Sequence, residues 1–329
     1  MKDTRILFLT RKGEGYVGAP QTRHEFEQEV AKQTKCKFAG EGWPDHIPGE
    51  SMEQTVRRVM PDCDWVIDRD DNLHVKKPSH RRYKVGLFIT DLHGKHSYGF
   101  NSPMPHIELI NNADYDAVFM RYPLLLGTGY NQKVYLENLY CDVHWIPWSV
   151  STERFKPRDK TYDVSLIGAT YDCYPLRREM WDSIYYAARG YRIFREASPQ
   201  GKTYDRSVDL LKESHHVGEE YSRILGESRI LLFTSSIYRY PIQKYFEGSA
   251  SKCLLISTMP AMGKRLGFID GKTFIEVDFD NWEERLQYYL GDGKMCLKIA
   301  NEGYKMTKKH HNHKVRAKQF LGVLNNEQN

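Results

Sequence analysis

The strongest constraint in this sequence is an alternation. Short β-like runs are separated by amphipathic, helix-length stretches along nearly the whole chain. The pattern predicts strands over Arg5–Thr10, Trp65–Asp68, Lys84–Thr90, Ala117–Arg121 and His144–Pro147. A second series follows over Asp163–Gly168, Tyr191–Arg195, Arg229–Thr234, Cys253–Ser257 and Phe274–Val277. Helical patterns lie between them, notably Arg23–Gln33, Leu176–Ala188, Glu219–Gly226, Ile242–Ala250, Trp282–Leu290 and Met295–Lys308. Strands that alternate with helices pair in parallel and are covered on both faces.

The series starts again near residue 160. His144-Trp145-Ile146-Pro147-Trp148 closes the first set, and a stretch rich in Pro and charge, Ser149–Lys160, follows. Tyr162–Gly168 then opens a new strand that ends in glycine. This predicts an α/β chain of two Rossmann-like domains, residues 1–148 and 149–313, with a ligand cleft between the carboxyl ends of their sheets. Residues 314–329 read as one more amphipathic helix, expected to cross back to the first domain. A length of 329 residues suits two domains.

Composition excludes several classes. Apolar residues make up 40% and aromatics 13%, too many for a disordered chain. No apolar run approaches the ~20 residues of a membrane span. The opening MKDTRILFLT reads as a first strand rather than a signal peptide. Six Cys without a C-x-x-C pair fit a reduced, cytoplasmic protein better than a disulfide scaffold or zinc ribbon. The net charge is +5, and Lys294–Lys318 alone holds eight basic residues against one acidic. A solvated helix face accounts for that run, and attraction of a phosphate-rich partner is the rival reading.

Three segments carry a resemblance. Residues 146–157 read Ile-Pro-Trp-Ser-Val-Ser-Thr-Glu-Arg-Phe-Lys-Pro. Asp163–Gly168 is followed by Tyr174-Pro175-Leu176-Arg177-Arg178. Pro241–Ile256 reads PIQKYFEGSASKCLLI. In this order they resemble the hinge, the strand-glycine and the R-x-F-E-x-x-A-x-G-x-x-L-L segment of GT-B-type nucleotide-sugar glycosyltransferases, in particular the spore-maturation CgeB-like branch. Trp148-Ser149 stands where that hinge has Asn-Gly, and Ser151 where it has Asp.

The resemblance implies a metal-independent hexosyl- or pentosyltransferase. It would move a sugar from a nucleoside diphosphate-sugar, UDP-linked in this reading, to an acceptor hydroxyl, with no cofactor. A glycan, a protein and a hydroxymethylated DNA base all remain open as acceptor. It assigns donor ribose to Glu247. The residues agree with the chemistry. Gly168 lets the backbone approach a pyrophosphate, and a following helix N-terminus attracts anions. Arg177, Arg239 and Lys244 can neutralise the leaving diphosphate. Tyr238 and Tyr240 flank Arg239 and can stack a sugar or base. Many retaining relatives carry Glu-x7-Glu, but Arg239 stands where the first Glu is expected, so the stereochemical course is not readable.

Gly13, Gly15 and Gly18 have the form G-x-G-x-x-G, yet Pro20 and the missing acidic second strand favour a loop near donor or acceptor over a dinucleotide site. Asp91 is the first ionisable group past the strand Lys84–Thr90 and is the expected general base, with His93 as its substitute and His106 as a weaker candidate. Of the Asp-x-Asp pairs Asp62/Asp64, Asp68/Asp70 and Asp278/Asp280, only Asp68-Arg69-Asp70-Asp71 follows a strand and deserves consideration as a metal site. His310-His311-Asn312-His313 lacks companion ligands and reads as a basic surface or frayed helix end. Two rival functions stand beside the transferase: a non-catalytic nucleotide-sugar-binding module, and a nucleic-acid-binding protein working through its basic C-terminal helix.

Overall fold

The computed structural model describes residues 4–14, 18–69, 81–89, 104–122, 137–197 and 215–326. They divide into two compact units: residues 1–13, 24–147 and 314–329 in one, and 14–23 and 148–313 in the other.

The first unit is built on six parallel strands: β1 (Ile6–Leu9), β2 (Cys36–Ala39), β3 (Trp65–Arg69), β4 (Lys84–Ile89), β5 (Ala117–Met120) and β6 (Asp142–Trp145), in the order β2-β1-β3-β4-β5-β6. Period-two alternation divides the side chains between two faces. Leu7, Val66, Val85, Leu87 and Val118 meet α2 (Met52–Val59) and α3 (Met104–Asn112) through Val56, Val59, Ile107 and Ile110. Ile6, Phe8, Trp65, Ile67, Phe88 and Phe119 form the opposite core with Phe26 and Val30 of α1 (Ala19–Ala31). Ala317, Phe320 and Leu324 of the C-terminal α9 (His313–Asn326) complete that core.

The second unit holds five parallel strands: β7 (Tyr162–Ile167), β8 (Ile193–Glu196), β9 (Ser228–Leu232), β10 (Leu254–Ser257) and β11 (Ile275–Glu276), in the order β11-β10-β9-β7-β8. One face buries Val164, Leu166, Ile230, Leu232, Leu254 and Ile256 under α4 (Pro175–Ala187), α7 (Trp282–Gly291) and α8 (Gly293–His310). These strands read as continuous apolar runs because helices cover both faces. Helix α5 (Glu219–Glu227) leads directly into β9. On the other face α6 (Gln243–Ala250) lies so close that a Cβ on Gly248 would fall 2.6 Å from the Leu231 and Leu255 methyls. The small residues Gly248, Ser249 and Ala250 permit that approach.

Three elements depart from the sequence expectations. β2, α2 and α3 have no counterpart among the predicted strands and helices; β2 exposes Lys37 and shows little apolar periodicity. The histidine run is neither frayed nor a basic surface throughout. His310 is exposed, but His311 and His313 are buried at the turn between α8 and α9. His311 donates from Nε2 to Leu266 O at 2.7 Å, and His313 Nδ1 lies 2.8 Å from Ser149 Oγ. Backbone bonds between Val150 and both histidines close the joint. The basic run itself is the solvent face of α8. Lys294, Lys298, Lys305, Lys308 and Lys309 are exposed, while Cys296, Ile299, Ala300, Gly303 and Thr307 are buried.

Candidate active site

In the second sheet the chain leaves β7 for β8 on one side and returns to β9 on the other. Such a switch point opens a crevice beyond the carboxyl ends of the two central strands. Gly168 follows β7 there with φ +148°, a conformation that side chains disfavour. A Cβ at this position would lie 2.8 Å from Arg177 Nη1 and 3.5 Å from Lys244 Cε. The backbone therefore favours glycine, and a side chain here would also push against the Arg177 guanidinium.

Arg177 comes from the first turn of α4 and is buried. Its guanidinium donates to Ala169 O at 3.0 Å and to Thr234 O, and it covers the Tyr174 ring at 3.9 Å. One side chain thus ties the loop after β7 to the loop after β9. The helix dipole opposes a cation in this position. The charge is instead satisfied by carbonyl oxygens and an aromatic face.

Lys244 stands in the first turn of α6, whose N-cap Ile242 offers no side-chain cap to the free N–H groups. Burial and the Arg177 charge pull the Lys244 ammonium down to about 8, against the opposing pull of Glu247. Its Nζ lies 5.6 Å from the centroid of Tyr221. Glu247 is buried one turn further along and accepts a hydrogen bond from Tyr221 Oη at 2.9 Å. Burial, followed by the Glu247 charge, holds the Tyr221 phenol well above its ordinary range, so it remains a donor. The arrangement combines Lys244 and the open N-terminus of α6, groups that attract an anion, with a fixed carboxylate that can accept hydroxyl hydrogens.

A cavity of about 310 Å³ lies alongside, between the first turn of α4 and the ends of β9, β10 and β11. Thr234 lines it with a buried hydroxyl that has no hydrogen-bond partner among the described residues. Ser235 Oγ and Thr258 Oγ1 pair with each other at 2.8 Å on the same wall. Ile237 and Phe279 also line the cavity and are 57% and 53% exposed, an apolar pair able to meet the faces of a planar ring.

Of the residues singled out from sequence, Gly168, Arg177, Lys244 and Glu247 gather around the two helix starts. Arg239 lines the cavity from a left-handed backbone position, φ +55°, fixed by hydrogen bonds to Ser236 O and from Ala261 N. Tyr238 and Tyr240 are buried beside each other, with centroids 5.7 Å apart, and neither lines this cavity. Gly15, Asp91 and His93 lie outside the described residues. His106 is buried, and burial lowers it to about 4.

Among the Asp-x-Asp pairs, Asp62 and Asp64 are engaged by Arg5 at 3.0 and 2.9 Å. Asp68 accepts from Tyr115 Oη at 3.0 Å, and Asp70 and Asp71 lie outside the described residues. The Asp280 N–H donates to Asp278 Oδ1 within a turn. Among the described residues no group of three or more His, Cys, Asp or Glu side chains could hold a metal ion. Sequence reasoning did not single out Thr234 or Tyr221. The only signal for either was its place beside a strand or helix end.

Residues 177–322 match the family model described as "Glycosyl transferase-like". Solved structures then decide the architecture. Sucrose-phosphate synthase from Thermosynechococcus elongatus superposes with a TM-score of 0.66 at 12% identity, over 98% of each chain. The fold is GT-B. The Anabaena protein HepE, solved with UDP and glucose, gives 0.64 at 10% identity over 98% of this chain and 100% of its own. An alpha-glucosyltransferase solved with UDP-glucose and DNA containing an abasic site gives 0.65 at 13% identity over 98% and 100%. None of these findings singles out the CgeB-like branch. No curated protein matches the chain in sequence. No described helix is long and apolar enough to cross a membrane.

Proposed function

We propose that this GT-B chain is a nucleotide-sugar glycosyltransferase whose second unit binds a UDP-sugar. The observation that carries the reading is the meeting of Gly168, Arg177 and Lys244 at the switch point of the second sheet, one helical turn from the buried Glu247. A diphosphate at Gly168 would face Lys244 and the open N-terminus of α6. Arg177 would act chiefly by holding both loops and contributing its field. Glu247 would take the ribose hydroxyls, its carboxylate oriented by Tyr221. The cavity lined by Thr234 would receive the base. The UDP and UDP-glucose complexes of similarly folded proteins support a UDP-sugar as the donor. As the sugar leaves, charge grows on the diphosphate, and Lys244 is placed to stabilise it without a protein-bound metal. The first unit would supply the acceptor site, and Asp91 or His93 would serve as base.

A thermal-shift titration with UDP tests the reading. UDP at ~100 times its dissociation constant should stabilise the protein by about 2.7 kcal/mol. Glu247→Ala should weaken UDP binding by about 1.5–3 kcal/mol, the range for a hydrogen bond to a charged group. Unchanged affinity in the folded variant would remove Glu247 from the site. Absence of any shift with nucleoside diphosphates would remove the transferase reading itself.

The lowered Lys244 ammonium sets a pH dependence. The anion favours the protonated amine, so binding holds the proton on. Above the ligand phosphate's own ionisation at ~6, affinity for UDP should be level up to about pH 8 and fall as pH rises beyond it, with proton uptake on binding in that upper range. Calorimetry in two buffers of different ionisation heat reads the uptake directly. Lys244→Arg should abolish both the fall and the uptake, because a guanidinium keeps its proton throughout.

A further inference from the structure

A second cavity, of about 420 Å³, lies wholly within the first unit. It opens beyond the carboxyl ends of β1, β2 and β3, where Thr10, Ala39 and Asp68 reach its wall. In that sheet the chain steps from β1 to β2 on one side and to β3 on the other, so this is the switch point of the first unit.

Its lining is dense in charge of both signs. Arg58 grips Glu50 with two bonds, at 2.9 and 2.6 Å, and Thr55 donates to the same carboxylate at 2.8 Å. That grip holds the Glu50 carboxyl down at about 2. Arg11 pairs with Glu41 at 2.9 Å. Asp68 is fully buried and oriented by Tyr115. Arg69 stands beside it at the end of β3. The carboxylates are thus preorganised, and the guanidinium groups are interleaved with them.

This lining selects among ligands. A phosphate-rich ligand needs an excess of donors, but here carboxylates offset the guanidinium groups. The N-terminus of α2 cannot serve as an anion site either. Ser51 already caps it, accepting from Gln54 N, while the Gln54 side chain accepts from Ser51 N. An apolar ligand would strand ionised groups without water. A saccharide fits both constraints. Each hydroxyl donates to a carboxylate and accepts from a guanidinium at once.

Resting on the transferase reading, we infer that this cavity is the acceptor subsite and that it takes an uncharged saccharide of one or two rings rather than a nucleic acid. The volume falls in the range of small-molecule sites.

Binding to the full-length protein tests this without turnover. The probes are methyl glucoside, methyl galactoside, methyl mannoside and maltose, each followed by saturation-transfer NMR with and without UDP. Glycine and a 12-base-pair DNA duplex serve as counter-probes. At least one saccharide should bind. Asp68→Asn should weaken it at least tenfold, with UDP affinity unchanged. Glu41→Gln, at an exposed site where folding is not at risk, should weaken it about fivefold by loosening Arg11. The inference is overturned if no saccharide binds in either condition. It is also overturned if neither variant alters the affinity, or if these variants instead abolish binding of glycine or the duplex. Saccharide binding without any UDP binding in the wild-type protein would remove the transferase reading, and with it the acceptor role, while leaving the saccharide site itself in place.

Discussion

Lys244→Ala should lower kcat by about 10²–10³-fold, the usual cost of removing one donor aimed at a developing anion. The physical reason is the setting of the amine. It lies near Arg177 and within the first turn of α6, where water screens charge poorly. An ammonium there is costly in the free protein, which is why its proton is held less tightly than usual. The leaving diphosphate repays that cost as its charge grows. The effect should therefore fall on kcat more than on KM for the donor. Folding should not suffer, because the substitution removes a charge that burial opposes. Steady-state transfer or donor hydrolysis, with a melting curve on the same sample, checks both statements. A folded Lys244→Ala protein with kcat within threefold of wild type would place the diphosphate elsewhere.

Phe320→Ala should destabilise the first unit by about 3–5 kcal/mol, the range for truncating a fully buried Phe. The ring has no exposed surface and meets Phe26, Phe88 and Phe119 at centroid distances of 5.8, 5.3 and 5.0 Å. Little can collapse into the space, since three rigid rings and the β4 and β5 strands frame it. Thr4 and Asn325 also bond to each other, which ties α9 to the start of the chain. Urea unfolding followed by circular dichroism should show an earlier transition for the first unit. A change below about 1 kcal/mol would mean that α9 contributes little to this core.

The elements that were legible from sequence are those with a strong period or a strained residue. Lys84–Thr90 and Arg229–Thr234 read as apolar runs because helices cover both sheet faces; β4 lies within the first, and β9 overlaps the second from Arg229 to Leu232. Gly168 stood out because a glycine closing a strand marks a close approach. Of the elements without a sequence counterpart, β2 and α3 are weakly patterned, whereas α2 has a capping box at Ser51 and Gln54 and a buried stripe of Met52, Thr55, Val56 and Val59, and was short rather than patternless. β2 has four residues with a single buried one, and α3 carries little amphipathic signal. His311 and His313 sit in a run of polar residues, which reads as solvated unless its partners are known. Those partners, Leu266 and Ser149, lie 45 and 164 residues away.

The α/β alternation, the second start near residue 160 and the helix-start position of Lys244 and Glu247 are all written in the linear chain. These are local properties: period, glycine placement and spacing within a turn. What those residues do to one another comes from the fold. Arg177 looked like a cation for phosphate, yet its guanidinium spends hydrogen bonds on Ala169 O and Thr234 O. Glu247 is oriented by Tyr221, 26 residues earlier in the chain. The wall of the charged cavity in the first unit draws on residues between Leu9 and Arg69 that no local motif connects. Burial and long-range hydrogen bonds set the charge and direction of these groups. Both depend on which strands become neighbours, and a linear pattern does not carry that information.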